Sequence, residues 1–287
     1  MISGSKRSRM IWTFDPCIIQ MKRGNNMKTF KKLAALILAA ACTFSLVGCG
    51  SASNDAVGDI KKAGKLTMVC NAEFAPFESK EGDKVVGIDA DIAKAIADDL
   101  GVELEIQDID FDACIPSVKS GKADMTASGS TVTEDRKKNV DFSDTYFTAS
   151  QNILVSADSD IVKASDLNGK TVGVQQGTTG DTYCTDSDGT GEVTVKEVKR
   201  YNKFTDAVAD LAAGRLDAVV LDNYPAKILA DKNKDSIKLL PEPFTSEEYA
   251  IAVPKGSNLK DEIDKVLKQM QDDGSLDKII STYIMVE

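Results

Sequence analysis

Ser120-Gly121-Lys122-Ala123-Asp124-Met125-Thr126-Ala127-Ser128-Gly129-Ser130-Thr131-Val132-Thr133-Glu134-Asp135-Arg136 begins with a turn and ends on a single cation. Its opening has an echo downstream in Ala213-Gly214-Arg215-Leu216-Asp217-Ala218, followed by Leu221-Asp222-Asn223-Tyr224. In both copies a helical stripe stops at glycine, a basic residue follows, and an aspartate precedes a short apolar strand. Repetition of this unit predicts two similar lobes. In open α/β sheets the loops at the carboxyl ends of strands hold ligands. One lobe would present the hydroxyls of Ser128–Thr131 with Arg136, and the other Asp222. Glycine admits a close backbone approach, hydroxyls and N–H groups donate, and arginine grips a carboxylate with two parallel bonds. A small molecule carrying both charges suits such a pair of loops. A solvated polar loop and a chance six-residue likeness are the plainer alternatives.

The surrounding periodicity agrees with an α/β fold. Leu66–Cys70 reads as a buried strand, and Ile88, Ile92, Ala93, Ile96, Ala97 and Leu100 as a helix face ended by Gly101. Val102, Leu104 and Ile106 alternate with polar residues, as do the residues of Val193–Val198, and both segments read as strands. Phe111–Lys119 is a helix, Thr171–Val174 a strand, and Phe204, Ala207, Val208 and Leu211 another helix stripe. Leu259, Ile263, Val266, Leu267 and Met270 mark an amphipathic helix, with a short terminal helix through Ile284. Strands separated by helices favour parallel sheets.

The N-terminal region points outside the cell. Met27-Lys28-Thr29-Phe30-Lys31-Lys32 is a basic head, and Leu33–Val47 is an apolar run of 15 residues, short for a bilayer span but suited to a signal peptide. It ends in Leu46-Val47-Gly48-Cys49, which resembles a bacterial lipobox. Cleavage before Cys49 would leave that cysteine to carry the lipid, palmitate included. Met27 reads as the natural start and residues 1–26 as an upstream extension or a misassigned start.

Losing the first 48 residues removes eight of the 35 basic and one of the 45 acidic side chains, leaving a net charge of −17. That surface argues against nucleic acid and against charge-driven binding to anionic lipid. There is no histidine, so Ser-His-Asp and Cys-His catalysis and histidine metal sites are excluded. Cys70, Cys114 and Cys184 have no metal-like spacing and read as three buried thiols, with one disulfide as the alternative. No cofactor or metal is expected.

Several linked motifs carry a family resemblance. Phe74-Ala75-Pro76-Phe77-Glu78 follows the first strand, and Val86-Gly87-Ile88-Asp89-Ala90-Asp91 opens the first long helix. Phe111–Val118, the Ser128–Arg136 segment, Val140-Asp141-Phe142-Ser143-Asp144-Thr145-Tyr146, Gly177-Thr178-Thr179 and Gly214–Ala218 come next in order. From about Leu66 to Tyr283 the chain resembles the family 3 solute-binding proteins of ABC transporters, which bind polar amino acids. The resemblance implies an α/β, two-lobed periplasmic-binding-protein-like fold of type II. Each lobe would be a mostly parallel sheet flanked by helices, and two strands would form the hinge. It implies a first lobe of 65–151 plus 250–287 and a second of 152–249, with crossings near Asn152–Val155 and Tyr249–Val253. Before them 49–64 is the tether, and its polar stretch Ser51–Gly64 reads from its residues as a tether plus a short helix.

Carried over by motif position, Phe74 and Phe111 would sandwich the ligand side chain and Arg136 would pair with its carboxylate. Ser128, Gly129, Ser130 and Thr131 would offer hydroxyl and backbone contacts. Thr179, at a helix start, would meet the carboxylate through its N–H, and Asp222 would hold the α-ammonium. Asn71, Glu73, Gln175 and Gln176 are the candidate specificity positions. Asn71 stands where several members that bind basic amino acids or glutamine have aspartate, which favours an uncharged or broadly polar L-amino acid. The expected protein is a non-enzymatic, monomeric, lipid-anchored binding protein on the extracellular face of a bacterial membrane, serving an ABC transporter permease. The rivals are a secreted cyclohexadienyl dehydratase-like enzyme, with Glu73 as its only acid or base candidate, and a ligand-sensing partner of a membrane receptor.

Overall fold

The structure, a computed structural model, describes residues 55–185, 193–243 and 245–284. The leader, Cys49 and the start of the expected tether lie outside the described residues. In chain order the first elements are α1 (Ala56–Ala63), β1 (Lys65–Cys70), β2 (Glu73–Phe74), β3 (Glu78–Glu81), β4 (Lys84–Val86), α2 (Ile88–Leu100), β5 (Glu103–Asp108), α3 (Phe111–Lys119), β6 (Met125–Thr126), α4 (Glu134–Lys137) and β7 (Val140–Ala149). Then come β8 (Gln151–Ser156), a 3-10 turn (Ala164–Leu167), β9 (Thr171–Gln175), α5 (Thr179–Thr185), β10 (Glu197–Tyr201), α6 (Phe204–Ala212), β11 (Ala218–Asp222), α7 (Asn223–Lys232) and β12 (Ile237–Leu239). The chain closes with β13 (Glu247–Pro254), α8 (Leu259–Asp272) and α9 (Ser275–Tyr283).

Two five-stranded sheets result, β5-β1-β6-β13-β7 and β10-β9-β11-β8-β12, and β2, β3 and β4 form a small antiparallel sheet. Each large sheet has three mutually parallel strands, one reversed strand (β13 or β8) and an outer strand antiparallel to it. Four strands in five therefore run one way in each lobe.

The sequence echo has a physical cause. The Asp124 carboxylate accepts the Thr67 N–H at 2.7 Å and Asp217 accepts the Thr171 N–H at 2.7 Å. The Asp124 N–H returns to Thr67 O and the Asp217 N–H to Thr171 O, both at 2.9 Å. Each aspartate thus clips the entrance of its own short central strand to the neighbouring parallel strand. The repeated motif sets the start of β6 and of β11, and so the place where each carboxyl-end loop emerges.

Apolar periodicity is spent on the sheets. Ile88, Ile92, Ile96 and Leu100 of α2 and Leu259, Ile263, Leu267 and Met270 of α8 are buried in one core cluster with Leu66 and Met68 of β1. Each such side chain stabilises the lobe by about 1.5–3 kcal/mol on burial. Cys70, Cys114 and Cys184 are buried free thiols, and burial pushes Cys114 and Cys184 up to about 12.

The short helix expected before Leu66 is α1, whose Ile60 is buried and whose Val57 N–H donates to Asn258 Oδ1 at 3.1 Å. Two expectations shift. The strand expected at Val193–Val198 is β10 at Glu197–Tyr201. Thr194 N–H is taken by the Asn168 side chain and Lys196 N–H by Lys170 O, so the ladder to β9 begins only at Glu197. The expected crossings fall within strands. Gln151 already pairs with Asp222 in the second sheet, and Glu247–Tyr249 pair with β7 in the first. Among the described residues the links between sheets are Ser150 and residues 240–243 and 245–246.

Candidate functional site

The carboxyl ends of β1, β6, β9 and β11 converge on one cavity. The first lobe lines it with Asn71, Phe74, Phe111, Gly129, Thr131 and Arg136, and the second with Gln175, Thr178, Thr179, Phe204 and Asp222. The cavity measures ≈10 Å³, about the room one water needs. Past Arg136 and Thr179 the cleft widens to a groove of ≈930 Å³ walled in part by Thr133, Thr145, Tyr183 and Glu247.

The loop after β6 is pinned along β13. Ala250 N–H donates to Ser130 O at 3.2 Å and Val132 N–H to Glu248 O at 2.9 Å. Gly129 has φ +49°, and a Cβ there would lie 2.5 Å from Phe74 Cε1 and 3.2 Å from Tyr249 Cε2. A side chain would meet both left-handed strain and a clash with a cavity aromatic. Gly129→Ala is expected to destabilise the protein by about 1–3 kcal/mol, at about 2–4 °C of Tm per kcal/mol. A calorimetric Tm equal to that of the parent would contradict this.

Arg136 lies in the short helix α4, capped by Thr133 Oγ1, which accepts the Arg136 N–H at 3.1 Å. Its Nη1 donates to Thr131 O at 2.8 Å and its Nη2 to Gly177 O of the second lobe at 3.0 Å. The guanidinium carbon lies 5.4 Å from the Phe111 ring centroid, a cation–π contact. Burial lowers the Arg136 pKa, opposed by the charges of Glu247 and Asp222; arginine stays charged throughout.

Asp222, the last residue of β11, is buried and accepts a short hydrogen bond from Tyr249 of the first lobe. Burial, then the charge of Glu247, raises it to about 7, against the lowering effects of Tyr249, Gln151 and Arg136. Glu247 is a buried carboxylate that the sequence reading missed. Its Oε2 accepts from Thr131 Oγ1 at 2.7 Å, Thr179 Oγ1 at 2.9 Å and Gln151 Nε2 at 3.3 Å. It therefore joins hydroxyls of both lobes on the side where the cavity meets the groove, while its Oε1 has no partner among the described residues.

The lobes also meet at the far end. Gln175 Nε2 donates to Asn71 Oδ1 at 2.9 Å and Gln176 Nε2 to Asp112 Oδ2 at 2.5 Å, while Lys203 pairs with Glu73.

Not every candidate reaches the cavity. Glu73 is held at the rim by Lys203, and Gln176 by Asp112. Ser128 lies beneath the lining, donating to Glu78 Oε1 at 2.5 Å. Ser130 Oγ is buried without a partner and is not part of the lining. Phe74, Phe111, Gly129, Thr131, Arg136, Thr179, Asp222, Asn71 and Gln175 do come together. Phe204 and Thr178 join them unforeseen. Phe204 begins a helix stripe and reads as core, which it also is, stacking on Phe74 at 5.8 Å.

This chain has named relatives. ArtP of Bacillus subtilis strain 168, an arginine-binding extracellular protein, is 39% identical over 87% of this chain and 96% of its own length. The crystal structure of a mutant ArgBP from T. maritima superposes with a TM-score of 0.73 at 45% identity, covering 79% of this chain and 98% of that one. An ancestral arginine-binding protein bound to glutamine gives 0.71 at 43% identity, covering 77% and 98%. The profile of one family spans residues 66–286. The chain belongs to the bacterial extracellular solute-binding proteins, family 3.

Proposed function

We propose that this protein captures a polar L-amino acid between its lobes and delivers it to an ABC transporter permease, held at the extracellular membrane face by lipid on Cys49. One observation carries the reading: Arg136 from the first lobe and Asp222 from the second line one cavity, together with aromatic and amide side chains. Arg136 takes the carboxylate, with Thr131 and Thr179 beside it. Asp222 takes the α-ammonium. Phe74 and Phe111 flank the side chain, and Asn71 and Gln175 meet its polar end.

Amides facing aromatics suit a planar polar group, as in glutamine or arginine. ArtP is named for arginine, and the ancestral protein is bound to glutamine in its structure. Both chemistries have therefore been met on this scaffold. A cavity of ≈10 Å³ cannot hold either ligand, so entry requires the lobes to part about the two links between the sheets, one of them at Ser150. The ligand then replaces the cross-lobe bonds to Gly177 O, Glu247 and Tyr249 with its own. It favours closure only by its extra affinity for the closed state. The enzyme alternative loses its candidate acid from the cavity, since Glu73 is paired with Lys203 at the rim.

Thermal-shift screening of the protein from Cys49 onward against all common L-amino acids, followed by calorimetry, tests the reading. A true ligand at a hundred times its Kd adds about 2.7 kcal/mol of stability, a shift of about 5–10 °C at this size. Glutamine or arginine is expected to give that shift and leucine none. Absence of any shift across the set would overturn the function.

A further inference from the structure

Directly behind the cavity are two carboxyl groups that the proposed binding role does not use. Glu78, at the start of β3, and Asp89, in the first turn of α2, are both fully buried. Asp89 Oδ2 accepts the Gly129 N–H at 2.8 Å, and Asp89 Oδ1 accepts the Tyr146 O–H at 2.7 Å. Glu78 Oε1 accepts from Ser128 Oγ at 2.5 Å, and that hydroxyl in turn accepts the Asn71 N–H at 3.0 Å. Glu78 Oε2 receives no donor among the described residues, and the two carboxyl groups hold adjacent residues of one loop, Ser128 and Gly129. An ionised Glu78 would leave that oxygen buried and unpaired, which costs far more than burying the neutral acid.

Like charges sharing a dry site also cannot both ionise. The surroundings offer no relief. The titratable groups that bear on the pair are Cys70 on β1, Cys114 on α3, Tyr146 on β7 and Asp222 on β11, none of them cationic. The carboxyl with more donors keeps the charge. Asp89 has a backbone N–H and a phenol; Glu78 has one hydroxyl.

We propose that Glu78 and Asp89 are a buried carboxylic acid–carboxylate pair, with the proton on Glu78 and the charge on Asp89, that positions the ligand-facing loop at Ser128–Gly129 and the backbone of Asn71. Glu78 and Asp89 are positioning residues: they touch the loop, not the ligand. The inference on ligand affinity rests on the amino-acid-binding reading above. Burial and the neighbouring Asp89 charge raise Glu78 well above the ordinary carboxyl range, and burial raises Asp89 to about 6, in keeping with that order.

The test uses the folded chain from Cys49 with Glu78→Gln, Glu78→Met and Asp89→Asn. Infrared difference spectra at neutral pH are expected to show a protonated-carboxyl C=O band in the parent that is missing from E78Q. Should E78Q not fold, glutamate-specific 13C labelling of the parent should shift the band. The Gly129 amide is expected to exchange slowly in the parent and E78Q, and at least about 10-fold faster in D89N, which loses its charged acceptor. Affinity for glutamine or arginine should be rescued by E78Q to within about threefold of the parent. It should fall about 10–100-fold in E78M, which leaves the buried Ser128 hydroxyl without its acceptor. No protonated-carboxyl band, no response of that band to glutamate labelling, or an E78Q variant that folds yet exchanges Gly129 as fast as D89N would overturn the pairing. The band and the exchange need no ligand. A protein that binds no amino acid but passes both therefore refutes the binding reading and leaves the pair standing.

Discussion

Arg136→Ala is expected to abolish calorimetrically measurable amino-acid binding while the protein still unfolds in one cooperative transition. The guanidinium already spends its two outer nitrogens on uncharged acceptors, Thr131 O and Gly177 O, and rests its face on Phe111. Those partners fix the fork toward the cavity. A ligand carboxylate would offer two charged acceptors instead, and charge-assisted bonds are roughly twice as strong as neutral ones. Truncating one partner of such a buried pair costs about 2–5 kcal/mol, roughly 30- to several-thousand-fold in Kd at 1.4 kcal/mol per tenfold. Folding should survive, because Arg136 is only half-buried and no core cluster includes it. Arg136→Lys keeps the charge but loses the fork, so intermediate affinity is expected. Unchanged affinity in Arg136→Ala would place the carboxylate elsewhere.

The legible parts of this protein are those where one residue type answers one backbone need. The Gly-basic-x-Asp echo could be read because each aspartate performs the same local task, clipping Thr67 or Thr171 to the next strand. Arg136 and Asp222 could be read because the repeated unit marks the loops that follow its two short strands, and Phe74 and Phe111 through the motifs of the resemblance, whereas Phe204 opens an ordinary helix stripe. Glu247 escaped notice because it opens a strand whose remaining residues are mostly apolar and buried. Only the pairing of β13 with β7, distant in sequence, turns it toward Thr131 and Thr179. Glu78 and Asp89 could be quoted as motif letters but not as a pair, since their contact depends on how β3 packs against α2. Glu73 shows the converse error. Its proximity to Phe74 in sequence suggested the cavity, but alternation along β2 carries it to the rim, where Lys203 of the second lobe meets it. The crossings between sheets lie a few residues from the expected ones because apolar strands run through both without a break in pattern, and only register shows where one sheet ends.

Asp222 should make ligand capture pH-dependent. In the ligand-free protein burial and the Glu247 charge hold it at about 7, so near neutrality part of the population is protonated. An ammonium placed against it favours the ionised form and must lower that value. Binding therefore releases a proton at and below pH 7, and affinity should weaken as pH falls, by up to about tenfold per unit. Calorimetry at pH 6 in buffers of different ionisation heats should register the released proton. Asp222→Asn should lose the proton release together with about 2–5 kcal/mol of binding. The sign for stability is opposite. The unfolded aspartate titrates near 3.9, so between about 4 and 7 the ligand-free folded state holds the extra proton. Its stability is then greatest at the acid end of that window and falls as pH rises through it. An asparagine can still accept the Tyr249 hydroxyl without burying a charge. Ligand-free Asp222→Asn should accordingly melt higher than the parent at pH 8 and lose this part of the slope. Parent-like proton release in the variant, or an affinity that strengthens on acidification, would remove Asp222 from the ammonium's place.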